Sequence, residues 1–226
     1  MKTVLITGAS GNLGKASVEK FLAEGYKVVA IVSPGKALGY ELPNVDIYEA
    51  DLTIETSIEN IVTTIASKNR IDAALLLVGG FAMGNIQNTD SASLKKMFSL
   101  NFDTAYFAVR PIFLQMMKQS GGRIVFVGAR PALNPADGKS TLAYGLSKSL
   151  VFKLAEYLNA EGAPNNVVTH IIVPSIIDTA VNRTAMPNAN FSDWVKPEDI
   201  AETMAFLCSD KASTVRDTVV KMYGRS

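Results

Sequence analysis

Short runs of continuous, largely β-branched apolar residues recur along the chain: Val4 to Thr7, Lys27 to Val32, Val45 to Glu49, Asp72 to Val78, Arg123 to Gly128, Val167 to Val173 and Thr218 to Met222. Between them, apolar residues return with helical period over Leu13 to Glu24, Ile54 to Ser67, Ser91 to Gln119, Ala143 to Glu161 and Pro197 to Ser209. A strand that is apolar throughout, rather than on alternate residues, is covered on both faces, and strands joined by helices form parallel sheets through right-handed crossovers. The pattern therefore predicts a doubly wound, mostly parallel seven-stranded α/β sheet of Rossmann type, with helices on both faces, as a single domain over residues 1–226. One stretch, Asp178 to Trp194, follows neither period, carries Pro187 and several Asn residues, and is too long for a turn. It is expected to be an irregular lid over a substrate.

Composition narrows the function. With 48% hydrophobic and 19% charged residues the chain is globular rather than disordered. Lys and Arg number 22 against 21 Asp and Glu, without a basic cluster, so there is no footprint for nucleic acid or anionic lipid. No apolar run approaches the ~20 residues that span a bilayer; Ile71 to Val78 is short and holds Asp72. The apolar Val4-Leu5-Ile6 is stopped by Gly8, which argues against a secretory signal, and a cytoplasmic protein is expected. A single cysteine, Cys208, leaves no internal disulfide, and a single histidine, His170, leaves no His/Cys cluster for zinc, so no metal is expected. His170 lies within a buried-strand run, Asn166 to Val173, and reads as a packed or capped core residue rather than a triad base.

Candidate chemistry begins where the first strand enters Thr7-Gly8-Ala9-Ser10-Gly11-Asn12-Leu13-Gly14 and then a helix. Gly8 suits the positive φ of a tight turn, Gly11 lets the backbone approach a pyrophosphate, and Gly14 permits close helix packing on the sheet. The helix N-terminus offers free N–H groups and a partial positive charge to an anion. At the end of the second strand, where a carboxylate selects the unphosphorylated ribose, stands Ser33, with Lys36 nearby. A hydroxyl and an ammonium accept a 2′-phosphate better than Asp does, so NADP(H) is favoured over NAD(H). Asp51, after the third strand, either accepts from the adenine amino group or caps the next helix.

Tyr144-Gly145-Leu146-Ser147-Lys148 opens a long helical segment, and the spacing of four places Tyr144 and Lys148 on one face. A nearby ammonium favours the phenolate of a group whose ordinary pKa is near 10, making Tyr144 a candidate proton donor in reduction.

The glycine loop, Asp51, Asn101 in Ser99-Leu100-Asn101, Tyr144 with Lys148, and Pro174 to Thr179 together resemble the short-chain dehydrogenase/reductase family over the whole chain. The resemblance implies hydride transfer from a nicotinamide to a small molecule. It implies that Asn101 anchors a proton-relay water, that Lys148 also binds the nicotinamide ribose, and that Thr179 meets the carboxamide or phosphates. It adds Leu52, Gly79, Gly80, Pro174 and Ile177 to the cofactor-binding set, and a homodimer or homotetramer paired along the helices Ser91 to Gln119 and Ala143 to Glu161. Three positions depart from the common family pattern: the glycine spacing, Leu76-Leu77-Val78-Gly79 in place of Asn-Asn-Ala-Gly, and Ala129 where the catalytic Ser is expected.

Those departures, with Val78 to Gly84, Gly128 to Leu133 and Asp178 to Arg183, resemble the quinonoid dihydropteridine reductase branch, which also carries Ala for Ser. Asn101 and Ser33 differ from that branch, which carries Asp at the latter position and uses NADH. A conjugated ring spreads the negative charge that a carbonyl concentrates on one oxygen, so a second hydroxyl is less needed. Phe81 and Met83 are candidates to line a flat apolar slot together with Ala129, and Arg183 and Trp194 are candidate lid residues near the substrate. Three readings follow: a reductase of a conjugated, pteridine-like substrate, a carbonyl reductase of another substrate, and a non-catalytic dinucleotide-binding sensor or scaffold.

Overall fold

The computed structural model describes residues 1–39 and 42–225. Its strands are β1 (Thr3–Thr7), β2 (Lys27–Val32), β3 (Val45–Glu49), β4 (Ala73–Leu76), β5 (Gly122–Val127), β6 (Val167–Pro174) and β7 (Thr218–Met222). They form one sheet in the order β3-β2-β1-β4-β5-β6-β7, and every neighbouring pair is parallel. The direction of winding reverses between β1 and β4, and the crevice outside their carboxyl ends is where open α/β sheets bind ligands.

Successive side chains of a strand point to opposite faces, and here both faces are covered. Val4, Ile6, Val28, Ala30, Leu75, Val125 and Ile172 meet α1 (Asn12–Ala23) and α8 (Pro197–Cys208) through Phe21, Ile200 and Met204. Leu5, Val29, Ala74, Ile124, Phe126 and Ile171 meet α2 (Glu55–Ala66), α4 (Thr104–Lys118) and α6 (Leu142–Gly162) through Ile58, Ile112, Met116 and Val151. Two-sided burial is the reason these strands read as unbroken apolar runs. Phe126, fully buried in a central strand, would cost about 3–5 kcal/mol if cut to Ala.

Three expectations need correction. The helix expected over Ser91 to Gln119 is interrupted: α3 (Ser91–Phe98), capped by Asp90 Oδ1 accepting the Ser93 N–H at 2.8 Å, leads through a π-helical turn, Ser99–Asp103, into α4. The fourth strand ends at Leu76 rather than Val78, because the Leu77 N–H donates to Thr7 Oγ1 at 3.0 Å instead of to a neighbouring strand. The stretch 178–194 is not irregular throughout. It contains α7 (Ala180–Ala185) and a turn of 3-10 helix, Phe191–Asp193. A short helix α5 (Pro135–Gly138) follows β5. Its N-cap is Asn134, whose side chain accepts the Ala136 N–H at 3.1 Å.

Among the described residues, no helix is long and apolar enough to cross a membrane, and no group of His, Cys, Asp or Glu is placed to hold a metal ion.

Candidate active site

The loop between β1 and α1 is built from backbone alone. Gly8 adopts φ +66°, the left-handed region, and its carbonyl accepts the Gly11 N–H at 3.0 Å. A Cβ on Gly14 would stand 2.2 Å from Gly8 O and 2.7 Å from Ala9 Cα, and one on Gly11 would stand 3.3 Å from Gly8 O. Gly14 is therefore required by the loop's own backbone, more than by the packing of the helix on the sheet. Gly11 is the N-cap of α1 and supplies no side-chain bond, and no described side chain caps the first-turn N–H groups of Asn12, Leu13 and Gly14. A cavity of about 490 Å³ opens there, lined among others by Asn12, Lys15, Asp178, Thr179, Arg183 and Lys196. The N-terminus of a helix with Lys15, Arg183 and Lys196 nearby can receive a pyrophosphate, although Glu19, Asp178 and Glu198 border the same cavity.

After β2, Ser33 and Lys36 are exposed in a turn closed by the Lys36 N–H donating to Ser33 O at 3.0 Å. Two residues that sequence reasoning missed meet this turn. The Gly35 N–H donates to Glu49 Oε2 at 3.2 Å, because the parallel register pairs Val32 with Glu49 at the strand ends. Lys15 reaches back from α1, its Nζ lying 3.9 Å from a Cβ built on Gly39. Asp51 does not cap α2, whose N-cap is Ile54; its Oδ1 accepts from Thr53 N at 2.9 Å and Thr53 Oγ1 at 2.6 Å, which holds its carboxyl below the usual range. Leu52 is buried beside it.

A second convergence of candidate residues centres on Gly79 and Gly80. Asn101, buried in the π-helical turn, accepts the Gly80 N–H at 2.9 Å with Oδ1 and donates through Nδ2 to Gly80 O at 3.0 Å and Ser147 Oγ at 3.1 Å. A Cβ on Gly79 would lie 2.6 Å from Asn101 Oδ1 and 3.2 Å from Lys148 Nζ. Asn101, Gly79 and Lys148 thus converge on one point, with the Asn101 Nδ2 hydrogens donated to Gly80 O and Ser147 Oγ. Lys148 Nζ donates to Val127 O at 2.8 Å, and burial draws its ammonium down to about 8.

Tyr144 is half-buried one helical turn before Lys148, edge-on to Phe81 with ring centroids 5.1 Å apart. Burial pushes its phenol up to about 12. Burial acts on both groups, and in the protein alone it leaves Tyr144 a neutral O–H at physiological pH.

A cavity of about 620 Å³ lies beside Tyr144, with Phe81, Ala129, Pro174, Ile177 and Met186 in its lining. Pro174 and Ile177, taken from sequence as cofactor residues, border this cavity. Three candidate substrate residues lie elsewhere. Met83 is exposed and outside the lining, Arg183 borders the α1 cavity, and Trp194 is buried against Phe191 at 4.8 Å between centroids. Arg183 holds Asp178 in a two-pronged ion pair at 2.6 and 2.7 Å and lies over the Phe191 ring, so these side chains brace the 178–194 segment. Thr179 caps α7 by accepting the Asn182 N–H at 3.2 Å.

Comparison with known proteins gives this geometry a family. Residues 2–190 match the family model described as short chain dehydrogenase. A dihydropteridine reductase of Dictyostelium discoideum is 31% identical over 211 residues, covering 90% of this chain and 86% of that protein. The crystal structure of an oxidoreductase of the short-chain dehydrogenase/reductase family from Burkholderia thailandensis superposes with a TM-score of 0.86 at 26% identity, over 99% of this chain and 91% of that one. The fold is shared as well with NADP-bound ElxO, at a TM-score of 0.89 and 23% identity over 99% of this chain and 97% of that one. The chain belongs to the short-chain dehydrogenase/reductase family of oxidoreductases, which bind nicotinamide dinucleotides.

Proposed function

We propose that the protein reduces a conjugated, pteridine-like small molecule at the expense of NADPH, with Tyr144 as the proton donor. The observation that carries the reading is the cavity in which the Tyr144 side chain meets Phe81 and other apolar walls while β5 is followed by Ala129, without a hydroxyl. The nicotinamide supplies hydride when bound. The glycine loop and the α1 N-terminus hold the pyrophosphate, Lys148 holds the nicotinamide ribose, and Asn101 positions the Gly79–Gly80 backbone on which both rest. Tyr144, kept protonated by burial, gives its proton to the ring atom that acquires negative charge. A delocalised anion needs less help from a second fixed donor than a ketone oxygen does.

Preference for NADPH is supported by Ser33, Lys36 and Lys15 around the ribose turn, against which Glu49 acts. We propose cytoplasmic action as a homodimer or homotetramer, on the strength of the unpaired Cys208 and the apolar faces of α4 and α6. The experiment is NADPH and NADH oxidation by the purified protein with quinonoid dihydropterin beside a panel of ketones and quinones. Turnover of the dihydropterin within the best of the panel supports the reading, and its absence beside good ketone turnover contradicts it. Carbonyl reduction is the second reading, favoured by Ser140, an exposed hydroxyl lining the same cavity whose one protein acceptor, Asp137 O, is 3.4 Å away.

A further inference from the structure

The cavity beside Tyr144 has apolar walls such as Phe81, Pro131 and Met186, and Asp137 is among its lining residues together with Arg130, Ser140, Ser175 and Asn182. The Asp137 carboxylate is half-satisfied. Its Oδ2 accepts from Arg130 Nε at 2.8 Å and from Asn134 Nδ2 at 2.9 Å. No described residue donates to Oδ1, and the side chain remains 29% exposed.

The surroundings say what Oδ1 would take. An ionised carboxylate only accepts hydrogen bonds, and at an apolar wall an unpaired acceptor is costly, so a ligand donor is selected there. Arg130 already balances the charge. A cationic ligand would add a second positive charge beside the guanidinium, which favours a neutral N–H donor instead. The Phe81 and Tyr144 rings among the lining residues suit a conjugated ring.

We propose that Asp137 is a specificity-determining residue whose Oδ1 accepts a hydrogen bond from the exocyclic amino group of a planar 2-amino-4-oxo heterocycle. The inference rests on the reading that this cavity receives a conjugated ring and adds which edge of the ring it recognises. Once a ligand covers the cavity, loss of the donor to this carboxylate is discriminated, because the exchanged group leaves the acceptor unpaired.

The test compares pterin with lumazine, in which a 2-oxo group replaces the 2-amino group, by titration calorimetry on the protein saturated with oxidised NADP. Pterin is expected to bind at least about tenfold more tightly. Asp137→Asn should bring the two within about threefold while NADP affinity stays unchanged. Equal affinities in the unmodified protein, failure of both probes to bind, or a preference that survives Asp137→Asn would each overturn the proposal, and the first two need no variant. The reductase reading fails separately, when no panel member is reduced by NADPH.

Discussion

Asn101 grips Gly80 by both of its backbone polar groups, accepting the N–H at 2.9 Å and donating to the carbonyl at 3.0 Å. The same amide donates to Ser147 Oγ, on the helix that carries Tyr144 and Lys148, so one side chain ties the loop after β4 to the face of α6. Asn101→Ala leaves these groups unpaired near the protein interior. A loss of about 2–4 kcal/mol is expected, or a Tm lower by roughly 5–15 °C for a domain of this size. NADPH affinity should fall with it. Thermal unfolding with and without NADPH checks both, and a Tm within 2 °C of the unmodified protein, on the scale of about 1 kcal/mol, would remove Asn101 from its positioning role.

Opposing charges meet at the turn after β2, where the proposed reading places the 2′-phosphate. Glu49 accepts the Gly35 N–H beside Ser33 and Lys36, and its carboxylate repels a 2′-phosphate. Glu49→Gln keeps an acceptor for Gly35 and removes the charge. The ratio of kcat/KM for NADPH over NADH should rise by about threefold to tenfold, equivalent to roughly 0.6–1.4 kcal/mol. An unchanged ratio means that Glu49 does not face the phosphate.

His170 is fully buried in β6 with both ring nitrogens lacking a hydrogen-bond partner, and burial, reinforced by Arg123 and Arg216, pushes its pKa down to about 4. It is packed, not capped. Above the unfolded pKa of about 6.5 the ring is neutral in both states and pH has no effect through it. As pH falls below 6.5 the unfolded chain takes up a proton that the folded one refuses, and stability is lost down to about pH 4. Between pH 7 and 4.5 this amounts to about 2–3 kcal/mol. His170→Leu should lose correspondingly less over that interval in urea unfolding, and identical losses in the two proteins would show that another group governs the acid side.

Lys148 sets an alkaline limit. Its pKa near 8 means that the ammonium bonded to Val127 O is lost as pH rises through that value. With it goes the charge proposed to hold the nicotinamide ribose. The kcat/KM profile for NADPH, which follows groups of the free protein, should therefore bend downward near pH 8, and Lys148→Arg, which keeps its charge to far higher pH, should displace the bend at a lower plateau. A bend that stays in place in the variant assigns it elsewhere.

Much of this fold is legible in the sequence because two-sided burial writes itself as unbroken apolar strands. The ends of α1, α2, α6 and α8 fall within a residue or so of the positions that hydrophobic period indicates. The glycine loop is legible for a different reason: Gly8 and Gly14 are demanded by backbone geometry, which leaves a local signature. What escapes is set by contacts distant in sequence. The π-helical turn at Ser99–Asp103 has ordinary helix-forming neighbours, and Asn101 is needed there by Gly80 and Ser147. Glu49 comes to the ribose turn only through strand register, and Asp137 to the cavity only through the fold of α5 against Arg130. Arg183 and Trp194 look like ligand contacts by residue type, yet each is engaged in bracing its own segment.

The central claim is that the Tyr144 hydroxyl delivers the proton that accompanies hydride transfer. It is tested most directly by single-turnover oxidation of enzyme-bound NADPH on mixing with the best substrate, in the unmodified protein and in Tyr144→Phe. The account predicts a transfer rate at least about 10²-fold lower in the variant, as for loss of a general acid, with NADPH affinity unchanged. A rate within about tenfold of the unmodified protein, at full NADPH occupancy, would contradict it.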